Sequence, residues 1–119
     1  ALDAVVENLD YIGLSSYPKF YSKKNNDFQS LNFIDSINHT YSKPYGLLET
    51  GLDIQDSIKR KQFYSKLKEI SLSQNLKFLV CGSMIDKPNS IDWENRIGLM
   101  DSNGEKKSGY DIWKSIQTR

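Results

Sequence analysis

The sequence predicts an α/β fold built from parallel βα units. Three short apolar segments of strand length alternate with segments in which apolar residues recur at helical spacing. Strand–helix units of about 30 residues with apolar strands are typical of parallel sheets covered by helices. The predicted order along the 119 residues is α-β-α-β-α-β-loop-α, and right-handed crossovers would place the three strands side by side.

The predicted helices are recognised by apolar side chains that recur every three or four residues. Their apolar stripes are Leu2, Val5, Val6 and Leu9, then Phe28, Leu31, Ile34, Ile37 and Tyr41, then Ile58, Phe63, Leu67 and Ile70, and finally Tyr110, Trp113 and Ile116. Asp27 is placed to cap the second helix, and Asp53 or Asp56 is placed to cap the third.

The predicted strands cover residues 11–14, 45–49 and 76–84, and each leads directly into polar or turn residues. These endings are Ser15-Ser16-Tyr17, Glu49-Thr50 and Gly82-Ser83. Because parallel strands end at the same edge of a sheet, we expect the endings to lie together, at the edge where α/β folds bind ligands. After the third strand, "DSNGEKKSG" at 101–109 has the chemistry of a hairpin turn.

Glu49 ends the apolar run "KPYGLLETGLD" at 43–53, and a carboxylate is costly to bury. We therefore expect Glu49 at the mouth of a pocket rather than in a core. The alternative is a glutamate engaged in a salt bridge or a turn.

Composition excludes several classes of function. Sixteen basic and fifteen acidic residues give a net charge of +1, which argues against a nucleic-acid or polybasic membrane surface. No apolar run approaches the ~20 residues of a membrane helix. Cys81 is the single cysteine, predicted to be a buried inert thiol with a reactive one as the alternative, and the lone His39 is predicted to lie at a helix surface. Neither predicts a metal site.

Asn38-His39-Thr40 is an N-x-T acceptor for N-glycosylation at Asn38, which would favour an extracellular location. The chain begins at Ala1, without Met and inside a predicted helix. We interpret this as processing or as a boundary within a larger protein.

Three segments together resemble a known family. "DYIGLSSYP", "KPYGLLETGLD" and "LKFLVCGSMID…RIGLMDSNGEKKSGYDIWKSI" are similar, in order and spacing, to strands six, seven and eight of the (β/α)8 barrels of retaining glycoside hydrolases in the large clan of β-glycanases and β-galactosidases. The resemblance implies that residues 1–119 are the C-terminal portion of a TIM barrel, with its last three strands and helices. A complete barrel needs at least ~200 residues.

The resemblance also implies roles for particular residues. Glu49 matches the catalytic nucleophile at the end of strand seven, and Tyr17 would donate a hydrogen bond to it. Ser16, with Ser15, would contact sugar hydroxyls. The family's strand eight commonly ends in a Trp beneath the sugar, whereas this chain has Cys81 or Gly82 there.

Trp93 in the following loop could supply the missing sugar-stacking face, or could anchor the loop by packing. Asp86, Asp92 and Glu94 of the same loop could bind sugar, although a solvated loop is the simpler interpretation. Ile12, Leu47, Leu48 and Phe78 are expected to face the barrel interior.

The family's acid/base glutamate belongs to strand four, which this chain does not contain. We therefore expect the partners to be a carbohydrate substrate and the remainder of the barrel, from an upstream segment or another chain. No cofactor or metal is implied, and the isolated chain is expected to be inactive. A non-catalytic carbohydrate-binding relative and a structural or interaction module are the alternatives.

Overall fold

A computed structural model describes residues 3–17, 29–72, 76–89 and 96–116 of the chain. These ranges contain four helices and three strands in the predicted order. They are α1 (Asp3–Val6), β1 (Ile12–Ser16), α2 (Gln29–Tyr41), β2 (Tyr45–Thr50), α3 (Ser57–Ser71), β3 (Leu76–Cys81) and α4 (Tyr110–Lys114).

The three strands form one parallel sheet in the order β1-β2-β3, so β2 is the central strand. Consecutive strands are neighbours because each is joined to the next through a helix that returns the chain to the same end of the sheet. The predicted fold is confirmed: the chain consists of three parallel βα units of an incomplete α/β barrel.

One face of the sheet packs against the helices and contains the core. Ile12, Tyr45, Leu47 and Leu76 from the strands are at most 5% exposed. They pack in one cluster with helical side chains that include Leu31, Ile34, Ile37, Phe63, Leu67 and Ile70. The helix-covered face is therefore a packed apolar layer between sheet and helices.

The opposite face of the sheet, called the open face below, has no covering element among the described residues. Leu48 and Val80 on this face are 52% and 47% exposed, and Ser15 and Glu49 are exposed as well. The ring of Phe78 lies over Gly46, where a Cβ atom would be 2.3 Å from it.

The expectation for the interior-facing residues is half correct. Leu48 and Phe78 lie on the open face, whereas Ile12 and Leu47 pack against the helices. Strands that are apolar on both faces do not reveal by pattern alone which face the helices will cover.

Three details at the surface differ from prediction. Helix α1 has only four residues, and Val5 and Leu9 of its predicted stripe are 53% and 37% exposed. Tyr11 precedes β1 and is 57% exposed. Ile58 is 67% exposed because it lies five residues, or about 140° of helix rotation, from Phe63 on the buried side of α3.

The segment after β3 contains the predicted hairpin turn. Met100 pairs antiparallel with Lys106, and the Asp101 carboxylate accepts hydrogen bonds from the backbone N–H groups of Asn103 and Glu105, both at 2.9 Å. Gly104 has a φ of 84°, a conformation that favours glycine. None of the helices in the described ranges is both long and apolar enough to cross a membrane.

Candidate functional site

Glu49 lies near the C-terminal end of the central strand, and its side chain is exposed. Its neighbour Thr50 is 1% exposed and packs toward the helices. Within the part of the chain that the structure describes, no side chain donates a hydrogen bond to the Glu49 carboxylate or pairs with it. The Tyr17 hydroxyl makes no hydrogen bond to any described residue, so the bond predicted from Tyr17 to Glu49 is not formed here.

Thr50 fixes the ends of the three strands relative to one another. Its Oγ1 donates a hydrogen bond of 2.8 Å to the carbonyl of Ser16 at the end of β1. Its own carbonyl accepts a hydrogen bond of 2.7 Å from the N–H of Gly82, just after β3. Because Glu49 precedes Thr50, these bonds hold the backbone that carries the carboxylate.

Tyr17 crosses the same edge of the sheet. A Cβ at Gly51 would lie 3.4 Å from Cε1 of its ring, and a Cβ at Gly82 would lie 2.4 Å from its hydroxyl oxygen. The half-buried ring thus extends from the end of β1 over the end of β2 to the end of β3. A side chain at Gly82 would therefore require the phenol of Tyr17 to shift.

The two serines of β1 point in opposite directions. Ser16 is 2% exposed on the helix-covered side, whereas Ser15 is exposed on the open face and pairs in register with Glu49. The structure therefore brings Ser15, rather than Ser16, onto the face that carries Glu49.

Two further candidates lie beyond what the structure describes. Trp93, like Asp92 and Glu94, is outside the described residues. Asn38 is part of α2, but its side chain is outside the description. The next residue, His39, is exposed in the last turn of that helix, as predicted.

A charged cluster behind the strand ends was not predicted. It consists of Arg60 on α3, Asp53 after β2, and Asp86, Arg96 and Lys107 after β3. Asp53 is bound by Arg96 through two hydrogen bonds of 2.7 and 3.1 Å. Lys107 contacts both carboxylate oxygens of Asp86 at 2.9 and 2.8 Å, and burial lowers its pKa.

Arg60 is the centre of this cluster and is 2% exposed. Its guanidinium donates hydrogen bonds to the carbonyls of Ile54, Arg96 and Gly98. Gly98 also donates its N–H to Asp86 at 2.8 Å. The cluster therefore ties the loop after β2 to the long segment after β3.

Asp86 is thus not a solvated loop residue, because its side chain is 14% exposed and engaged by Lys107. The sequence did hold a signal for Arg60. It lies three residues before Phe63 and seven before Leu67, on the buried stripe of α3. A pattern defined by apolar residues does not include Arg60, because its side chain is charged.

Cys81 ends β3 and is half-buried. Burial raises the pKa of its thiol, which favours the protonated form. The inertness of this cysteine stays a prediction.

Solved structures with a similar fold include β-glucuronidases, which are glycosidases that have a TIM barrel. A β-glucuronidase of Bifidobacterium dentium, solved with coumarin-3-O-glucuronide, superposes with a TM-score of 0.69 at 16% identity over 92% of this chain. A Faecalibacterium prausnitzii β-glucuronidase gives a TM-score of 0.67 at 16% identity over 98% of this chain.

The chain spans only about a fifth of the length of these two enzymes, 21% and 23%. Their similarity to this chain is a similarity of fold. No protein-family model and no curated protein matches the sequence.

Proposed function

We propose that this chain forms the last three βα units of a retaining glycoside hydrolase barrel, with Glu49 as the catalytic nucleophile. The observation that carries the proposal is the exposed Glu49 carboxylate at the C-terminal end of the central strand, on the open face. Enzymes with parallel barrels bind substrates at that end of the strands. The similarity in fold to barrel glycosidases supports the same class.

The reaction is a double displacement at the anomeric carbon of a saccharide. The Glu49 carboxylate attacks that carbon while the glycosidic C–O bond breaks, and a second carboxylic acid protonates the leaving oxygen. The second group, now a carboxylate, takes a proton from water. That water attacks the glycosyl-enzyme and releases Glu49.

The second carboxyl group must lie about 5–5.5 Å from Glu49. We assign it to the remainder of the barrel, contributed by an upstream segment or by another chain that covers the open face. Ser15 and Tyr17 lie at the same edge of the sheet, which supports a role for both in the sugar site. Stacking of the sugar on Trp93 stays a prediction.

The test is Glu49→Gln in the intact protein, assayed on an activated aryl glycoside. We expect kcat to fall by about 10³-fold or more with little change in the melting temperature, because the amide keeps the shape and loses the nucleophile. Azide added to Glu49→Gly should restore part of the turnover by taking the place of the carboxylate.

The matched control is Glu69→Gln, which changes an exposed glutamate of α3 that pairs with Lys66 at 3.1 Å. Its kcat should equal that of the wild type. Activity of Glu49→Gln close to the wild-type level would exclude the catalytic role and leave the non-catalytic carbohydrate-binding or interaction module as the better proposal.

A further inference from the structure

Strand β2 carries one residue more than β1 at the position where Glu49 occurs. Leu47 pairs with Leu14, but the next residue of β1, Ser15, pairs with Glu49. Leu48 therefore has no partner in β1 and is an inserted residue, the defining feature of a β-bulge.

Strand β3 shows the same insertion independently. Leu47 pairs with Leu79, and Thr50 pairs with Cys81. Between these pairs β3 has only Val80, whereas β2 has two residues. Both neighbours of the central strand thus place the extra residue of β2 in the same interval.

The insertion changes the face on which Glu49 lies. Tyr45 and Leu47 face the helices and are both 0% exposed, so strict alternation would send Glu49 to the helices as well. Instead Thr50, 1% exposed, takes the helix-facing position, and Leu48 and Glu49 are both exposed.

Gly13 of β1 provides the space in which the inserted side chain lies. A Cβ atom at Gly13 would be 2.7 Å from Cδ1 and 3.0 Å from Cγ of Leu48. Leu48 therefore lies flat across the backbone of β1 beside Glu49.

We infer that the bulge at Leu48 is the device that turns the Glu49 carboxylate from the helix-covered face to the open face, with Gly13 accommodating the inserted side chain. Leu48 and Gly13 are positioning residues. Leu48 acts through the backbone just before Glu49, and Gly13 leaves room for the Leu48 side chain. The catalytic meaning of the bulge rests on the proposed function, whereas its geometry does not.

The geometry is tested by thiol labelling. In a Cys81→Ser background, single cysteines are introduced as L47C, L48C, E49C and T50C. The monomeric fraction is isolated by size-exclusion chromatography, and its labelling by a maleimide is followed by mass spectrometry. Cysteines at 48 and 49 should both react within about tenfold of the rate in urea, whereas those at 47 and 50 should be slowed by about 100-fold or more.

A regular strand would give a different pattern, because adjacent residues would alternate. Fast labelling at 48 with protection at 49 would overturn the proposal. Equal, urea-like labelling at all four positions would overturn it too, since it would show that no ordered strand presents these residues.

A second measurement uses the intact enzyme and compares deletion of Leu48 with Leu48→Ala. The alanine keeps the residue count, so kcat should stay within about tenfold of wild type, whereas the deletion should lower kcat by about 10³-fold with KM changed much less. Equal kcat values for the two variants would contradict the positioning role. If Glu49→Gln is active but the labelling pattern holds, the proposed function fails and the bulge stands.

Discussion

Arg60 has the largest side chain among those that the described fold buries completely. Its donors bond carbonyls of the loops after β2 and after β3. Arg60→Met keeps an apolar stem but leaves these buried carbonyls without their donor, so we expect a loss of about 3 kcal/mol in the free energy of unfolding. Urea denaturation followed by circular dichroism measures this loss.

The control is Lys61→Met, which changes the next residue of α3 on its exposed side. Its free energy of unfolding should stay within about 0.5 kcal/mol of wild type. If Arg60→Met lowers the free energy of unfolding by no more than Lys61→Met does, the carbonyls are bonded by other donors or by water in the variant.

Tyr64 should make stability depend on alkaline pH. Burial raises the pKa of its phenol above the usual 10.0. The folded state therefore keeps the proton while the unfolded state releases it, so stability is complete below about pH 10 and falls as the pH rises further. Tyr64→Phe should remove this fall, as measured by melting temperatures between about pH 8 and 11.

Lys107 acts in the opposite direction. Burial lowers its pKa from 10.5, so its contribution to stability grows as the pH rises from the lowered value towards 10.5. The comparison of Tyr64→Phe with wild type cancels this effect, and Tyr11→Phe, an exposed tyrosine, serves as the control. Parallel alkaline melting curves for wild type and Tyr64→Phe would contradict the prediction.

Among the elements, helix α3 has a start that is specified by its N-cap residue, Asp56. The Asp56 carboxylate accepts hydrogen bonds from the N–H groups of Ile58 and Lys59 at 2.9 and 3.1 Å. Asp56→Ala removes this N-cap and should lower the free energy of unfolding by about 1 kcal/mol. Urea denaturation measures the loss.

Asp56→Asn is the matched variant, since an asparagine oxygen caps about as well as a carboxylate. Gln55→Ala, one residue earlier and exposed, tests for a general effect of changing this loop. Equal losses in Asp56→Ala and Asp56→Asn would mean that charge, rather than the cap, is what Asp56 contributes.

Element type was predictable because periodicity reports it directly. The stripe of Leu31, Ile34 and Ile37 in α2 is fully buried, as its spacing requires. What periodicity could not provide was the register inside β2. The bulge depends on pairing with two other strands, and no local pattern in "YGLLET" distinguishes it from a regular strand.

The candidate site was predictable to a similar extent. Parallel topology alone was enough to bring Glu49 and Tyr17 to one edge of the sheet. The faces of the sheet on which Ser15 and Ser16 lie could not be predicted, since both are small polar residues that a strand accepts on either face. The charged cluster was missed because its members are distant in sequence and meet only through the fold.

At the scale of the whole molecule, the open face and the two outer strands predict association. Among the described strands, β1 and β3 each pair with β2 alone, and Leu48 and Val80 expose apolar surface. The isolated chain should therefore assemble or aggregate rather than form a stable monomer. Light scattering after size-exclusion chromatography measures its mass.

Val80→Lys should increase the monomeric fraction, because it places a charge on the apolar open face at an edge strand. The control is Ile58→Lys, which changes an equally apolar exposed residue on α3, away from the sheet. A well-behaved wild-type monomer, or equal effects of both variants, would show that the open face does not drive association.

The charged cluster also has a consequence for how solvent reaches the backbone after β3. Residues 96–107 have almost no regular secondary structure, yet the N–H of Met100 is bonded to Met84 and that of Lys107 to Leu99. Arg60 holds carbonyls of this same segment from α3. The amide hydrogens of Met100 and Lys107 lie in a segment without regular secondary structure, yet they should exchange with deuterium as slowly as those of α3. They should become labile only when α3 itself unfolds.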